Sequence, residues 1–250
     1  MRKGFHRYDS KHSQNSKRGF LGQVWPGEYV DIVFNFAIDM ATKVKGEHRD
    51  HRSGGTHKRS PKEVFADTFQ GKIAEFGVYK YFKDKGIIVS EPDLTRMPLG
   101  QWDSVDIIVN GFKMCVKSAA YYSNSLLLEV KDWDEEGRYK PNIEKDGGEY
   151  NYFLFCRVKP NLKELLINKK SEYKHNKEKL LELVKKEKWE IDIPGFISRE
   201  DFKFLIENQF IIYQDDYLGE TTVMDADNYY CQSGDLHPIE ELVEDLLSGD

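Results

Sequence analysis

The chain has 250 residues, with 37 Lys and Arg against 43 Asp and Glu and a formal net charge of -6. That length and apolar content suffice for one large core with appendages, and the charge argues against a nonspecific polyanion coater. Cys115, Cys156 and Cys231 lie far apart without zinc-site spacing, and the chain shows neither an apolar leader nor a membrane-length apolar run, which together predict a cytoplasmic protein with no membrane partner.

After a basic, polar start, the stretch EYVDIVFNFAIDMATKV has apolar residues at Val30, Val33, Phe34, Phe36, Ala37 and Met40, a spacing closer to a helical face than to strict alternation. The segment that follows, rich in Gly, Ser and charge, reads as a mobile loop. Its cations include Lys43, Lys45, Arg49, Arg52, Lys58 and Arg59. A solvated loop is the plain reading; contact with a phosphate backbone is the functional one, since Gly54 and Gly55 allow close approach. Ser60-Pro61-Lys62-Glu63 offers an N-cap, a proline at the first helical position and a reciprocal glutamate, predicting a helix from 61 to about 84.

KGIIVSEP then reads as a buried strand, and DSVDIIV, KMCVKSA, SLLLEVKDW and YNYFLFCRV supply four more. LKELLINKKSEYKHNKEKLLELVKKEK is a charged helical segment expected on the sheet's outer side. The tail opens on a strand-like stretch, and Ser198 can cap a short helix over REDFKFLIENQ. No interdomain linker is visible. The resulting division is an N-terminal helix with a basic loop (1–59), a core (60–190) and a C-terminal subdomain packed on that core (191–250).

Within the core, DIIVNGFKMCVK places an acid at a strand start, an Asn-Gly turn and a lysine on the returning strand. Asp106 can hold a hard cation, the main-chain carbonyl of Val116 can add an oxygen, and Lys117 can serve beside an attacking water. Its ammonium would stabilise developing negative charge, or, with its pKa lowered by desolvation, the amine would help deprotonate that water.

This segment resembles the PD-(D/E)xK nuclease superfamily, in which an Asp begins one strand and an acid-x-Lys follows on the next. The family's helical glutamate matches Glu75 in Gly71-Lys72-Ile73-Ala74-Glu75, and the texture after Lys117 looks most like type II restriction endonucleases. The resemblance spans residues 60 to 160. It implies an α/β restriction-endonuclease-like fold, with a central mixed sheet flanked by helices and N- and C-terminal additions. It further implies Mg²⁺-dependent cleavage of double-stranded DNA, with Mn²⁺ able to substitute, by a homodimer whose catalytic residues are Glu75, Asp106 and Lys117. Ser118, Asn228 and the basic loop would contact DNA.

The departure is Cys115, which stands where the family places its second acid; a thiol is a poor ligand for a hard cation. Three readings stay open. Glu75 completes the metal shell with Asp106, or Glu129 does so with Lys131 as a second acid-x-Lys, or the chain is a DNA-binding module that no longer cuts. A structure-specific or defence nuclease without sequence specificity is a further alternative. Asn228, in MDADNYY, is either a turn residue or a base-reading amide.

Overall fold

The computed structural model describes residues 4–8, 15–42, 59–95, 105–173, 176–220 and 222–248. In chain order these form α1 (Val30–Thr42), α2 (Pro61–Asp84), β1 (Ile107–Val109), β2 (Phe112–Ala120), β3 (Ser125–Glu129), α3 (Ile143–Asp146) and β4 (Tyr152–Lys159). There follow α4 (Leu162–Asn168), α5 (Lys170–Tyr173), α6 (Lys177–Lys186), β5 (Glu190–Ser198), α7 (Arg199–Glu207) and β6 (Ile211–Ile212). The chain ends with β7 (Tyr217–Leu218), β8 (Thr222–Val223), β9 (Asn228–Gln232) and α8 (Ile239–Ser248).

The centre is a mixed four-stranded sheet in the order β1-β2-β4-β5, with β2 and β4 parallel and the outer pairs antiparallel. Alternation along β4 divides the core. Leu154, Cys156 and Val158 face α1, α2 and α8, while Phe153 and Phe155 face α7 and a second sheet of order β3-β9-β6. The protein is therefore mixed α/β, with helices flanking a central sheet.

Local chemistry explains the elements that position the site. Ser60 and Glu63 form the reciprocal capping box and Pro61 opens α2, so this helix begins where its sequence predicts. Asn110 and Gly111 both adopt positive φ, 45° and 85°, as a two-residue hairpin of matching twist requires, and the pairing Val109↔Phe112 fixes the register of β1 on β2. Ser198 caps α7 through a second capping box, with Asp201.

Several expectations change. KGIIVSEP makes only a single bridge, Val89↔Val109, at the edge of β1, and Ile88 is exposed; it is an edge segment rather than a buried strand. The charged segment after β4 is three helices, of which α4 packs on α2, α6 on α1 and α5 on α6. β3 leaves the central sheet to pair with β9. The expected boundary at 190 falls on the first residue of β5, whose pairing with β4 makes 190–198 a part of the sheet. The N-terminal segment is tied to the same strand, because Gln23 and Val24 donate to the Ile191 carbonyl and the buried Arg157, paired with Asp192, donates to the carbonyls of Arg18 and Gly19.

Helix α2 approaches β5 through Gly77, where an added Cβ would stand 2.7 Å from Cγ1 of the buried Ile191. Gly77→Ala gains about 0.5–1 kcal/mol of helix propensity but overpacks at a cost of roughly 1–3 kcal/mol. A lower urea midpoint at unchanged slope is the expected outcome. Among the described residues, no helix is long and apolar enough to cross a membrane.

Candidate functional site

The β1–β2 register places Ile107 opposite Met114, so residue 106 lies across from 115 and shares a sheet face with 115 and 117. Beyond that point β1 has ended, and the Asp106 carboxylate takes over its edge: Oδ2 accepts the Val116 N–H at 2.8 Å. The N–H and C=O of one strand residue point to the same edge, so the Val116 carbonyl also lies on the Asp106 side of β2.

Glu75 comes from the opposite face of the sheet. It sits on α2, whose apolar side packs with Met114, Leu154 and Cys156, and it enters where β1 has left β2. The result is a cavity of about 260 Å³ lined by charged Lys72, Glu75, Asp106 and Lys117, together with Cys115, Trp133, Tyr139 and Tyr150. Two carboxylates and two lysines therefore share one small space. Lys72 Nζ stands 2.8 Å from Glu75 Oε2, both side chains being largely buried.

The aromatic wall belongs to the segment between β3 and β4. Trp133 bridges to Tyr139, and Tyr139 donates its N–H to the Gly148 carbonyl at 2.7 Å. Gly148 has φ 64°, and a Cβ there would come within 2.5 Å of the Tyr139 carbonyl oxygen, so only glycine brings the two strands of the loop this close. Lys113 Nζ, 2.9 Å from Asp146, ties the same loop to β2.

Environment sets the protonation of these groups. Burial pushes the Cys115 thiol up to about 12, so it stays protonated and is a poorer metal donor still. Burial works against the Lys117 ammonium, but the acidic groups around it, Asp106 and Asp132 among them, outweigh it and raise its pKa above the ordinary lysine value. Lys117 therefore presents a charged ammonium to the cavity. Burial, reinforced by Asp106, holds the Tyr150 phenol well above its usual range, leaving it a hydrogen-bond donor.

The structure brings Glu75, Asp106 and Lys117 together and leaves other candidates elsewhere. Glu129 ends β3 in the second sheet, pairs with Asn228, lies 3.4 Å from Lys131 and does not line the cavity. Lys43, Lys45, Arg49, Arg52 and Lys58 lie outside the described residues. Arg59 is largely buried, 3.6 Å from Asp67, a geometry that suits anchoring α2 better than reaching DNA. Ser118 Oγ lies 3.5 Å from Gln70 Nε2 on α2. Asn228 Nδ2 donates to the Ala226 carbonyl at 2.8 Å, which is the turn role.

Lys72 and the three aromatic residues were not anticipated. Lys72 was legible, since it precedes Glu75 by three residues on a helix and so shares its face. Tyr139 lies in irregular chain with no periodicity to announce it, and Tyr150 opens the expected strand YNYFLFCRV but falls just before β4, which begins at Tyr152.

The donor set suits a hard cation. Glu75 and Asp106 line the cavity and offer oxygen only, as Mg²⁺ prefers while retaining several waters, and the Val116 carbonyl lies on the Asp106 side of β2, although among the described residues no cluster of three His, Cys, Asp or Glu side chains forms a ready-made metal cage. Comparison with family models, with curated proteins and with solved structures found no match.

Proposed function

We propose that this chain is a Mg²⁺-dependent endonuclease that hydrolyses phosphodiester bonds of double-stranded DNA, and that it does so at a short recognition sequence as a homodimer with one site for each strand. The observation that carries this reading is the convergence of Glu75, Asp106 and Lys117 on one cavity, from a helix, a strand start and the returning strand of an Asn-Gly hairpin. The order of these elements, and the parallel β4 beside β2, agree with the restriction-endonuclease-like arrangement that the sequence resemblance implies.

In this site Asp106, Glu75 and the Val116 carbonyl would hold the divalent ion. Such an ion supplies Lewis acidity at a phosphoryl oxygen and lowers the pKa of water. Lys117 keeps its proton and stabilises the charge that gathers on the phosphoryl oxygens as water attacks phosphorus and the sugar oxygen departs. The Tyr150 hydroxyl, buried and protonated, orients the Asp106 side of the cavity or donates to the phosphate.

Incubating the purified protein with a phage-sized duplex and Mg²⁺, then sequencing the ends, tests the reading. Discrete fragments with a shared end sequence are expected. A smear, or cutting confined to junctions, would replace sequence recognition with shape recognition. DNA that is bound but never cut, with Mg²⁺ or Mn²⁺, would make the chain a binding module, the reading that Cys115 motivates.

A further inference from the structure

The cavity contains one cation that the proposed chemistry has not used. Lys72 projects from α2 one turn before Glu75, lines the same cavity as Asp106 and Lys117, and contacts Glu75 Oε2 at 2.8 Å, the length of a charge-assisted hydrogen bond. Its Nζ also lies 5.7 Å from the centre of the Phe36 ring of α1. A divalent ion that takes Glu75 as a ligand must draw on the carboxylate that Lys72 now holds.

We propose that Lys72 is a built-in competitor for the metal position: it neutralises Glu75 while the site is empty, yields the carboxylate when the divalent ion and DNA arrive together, and then turns its ammonium to a non-bridging phosphate oxygen. This inference rests on the nuclease reading of the cavity. Its consequence is that the ion loads weakly on the protein alone, where it must displace an ammonium from one of its ligands, and better when a phosphodiester offers that ammonium another anionic partner. The lysine stem, with four rotatable bonds on a rigid helix, allows such a displacement of Nζ without movement of the backbone.

Direct titration of Mn²⁺ in the absence of DNA tests this, read by paramagnetic resonance or calorimetry on wild type, Lys72→Met, Lys72→Arg and Asp106→Asn. Removing the competing charge should tighten Mn²⁺ binding in Lys72→Met on the order of tenfold, the size of one lost charge contact in a partly buried site. Lys72→Arg should stay near wild type, because it keeps the charge, and Asp106→Asn should lose the site. Equal or weaker Mn²⁺ binding in Lys72→Met than in wild type overturns the inference while leaving the nuclease reading standing. Failure of Mn²⁺ to bind any of the four proteins, with or without DNA, overturns both. Should Lys72→Met fold poorly, Lys72→Gln gives the same comparison, and thermal melts with and without Mn²⁺ add a second readout: the ion should raise the melting temperature of the neutral variant more than that of wild type.

Discussion

Replacing Lys117 with methionine is expected to lower the rate of Mg²⁺-dependent DNA cleavage about 10³-fold, the range typical of a lost charge-stabilising or proton-handling group. Methionine keeps the unbranched stem, so β2 and its pairing with β4 through Lys117↔Phe155 should persist. The loss should fall on turnover rather than on DNA affinity. Lys117 lines the cavity half-buried, with Asp106 and Asp132 raising its pKa against the cost of burial, so its ammonium is in place for the charge that develops in the transition state. Single-turnover cleavage alongside gel-shift binding separates the two. A variant that cuts within tenfold of wild type would remove Lys117 from the mechanism, and with it the strongest support for a nuclease.

The hairpin that carries this lysine was readable because each of its constraints is local. An Asn-Gly pair fixes the turn, the turn fixes the register, and a period of two then places residues 106, 115 and 117 on one face. The start of α2 was readable for the same reason, since a capping box is complete within four residues. What the sequence could not disclose depends on contacts distant along the chain. SLLLE has the composition of a central strand, yet its partner is β9, about a hundred residues later, which moves Glu129 to another sheet. The aromatic wall of the cavity exists because Gly148 lets one loop close on Tyr139, and no periodic pattern marks either residue. Arg59 belongs in sequence to a basic run, but its proximity to Asp67 is set by the first turns of α2.

The position of Cys115 makes the second prediction sharp. If the metal shell uses Glu75 in place of an acid on β2, Glu75→Gln should abolish cleavage, by about 10²-fold or more, because an amide keeps the shape but removes one of the two carboxylates that line the cavity among the described residues. Cys115→Ala should cut within a few-fold of wild type and be less stable by roughly 1–2 kcal/mol, since a buried sulfur atom is deleted from a packed core. The informative variant is Cys115→Asp in the Glu75→Gln background. Residue 115 lies across from Asp106 and two before Lys117 on the same face, so an acid there would offer the missing oxygen from the strand instead of the helix. Partial recovery of cleavage in the double variant is expected, together with a stability loss from placing a second carboxylate at the buried position 115, directly across from Asp106. Glu75→Gln that still cuts at the wild-type rate would dismiss Glu75 as a ligand. A Cys115→Ala variant that is folded but inactive would instead mean that the thiol itself takes part, and would overturn the assignment of an oxygen-only metal site.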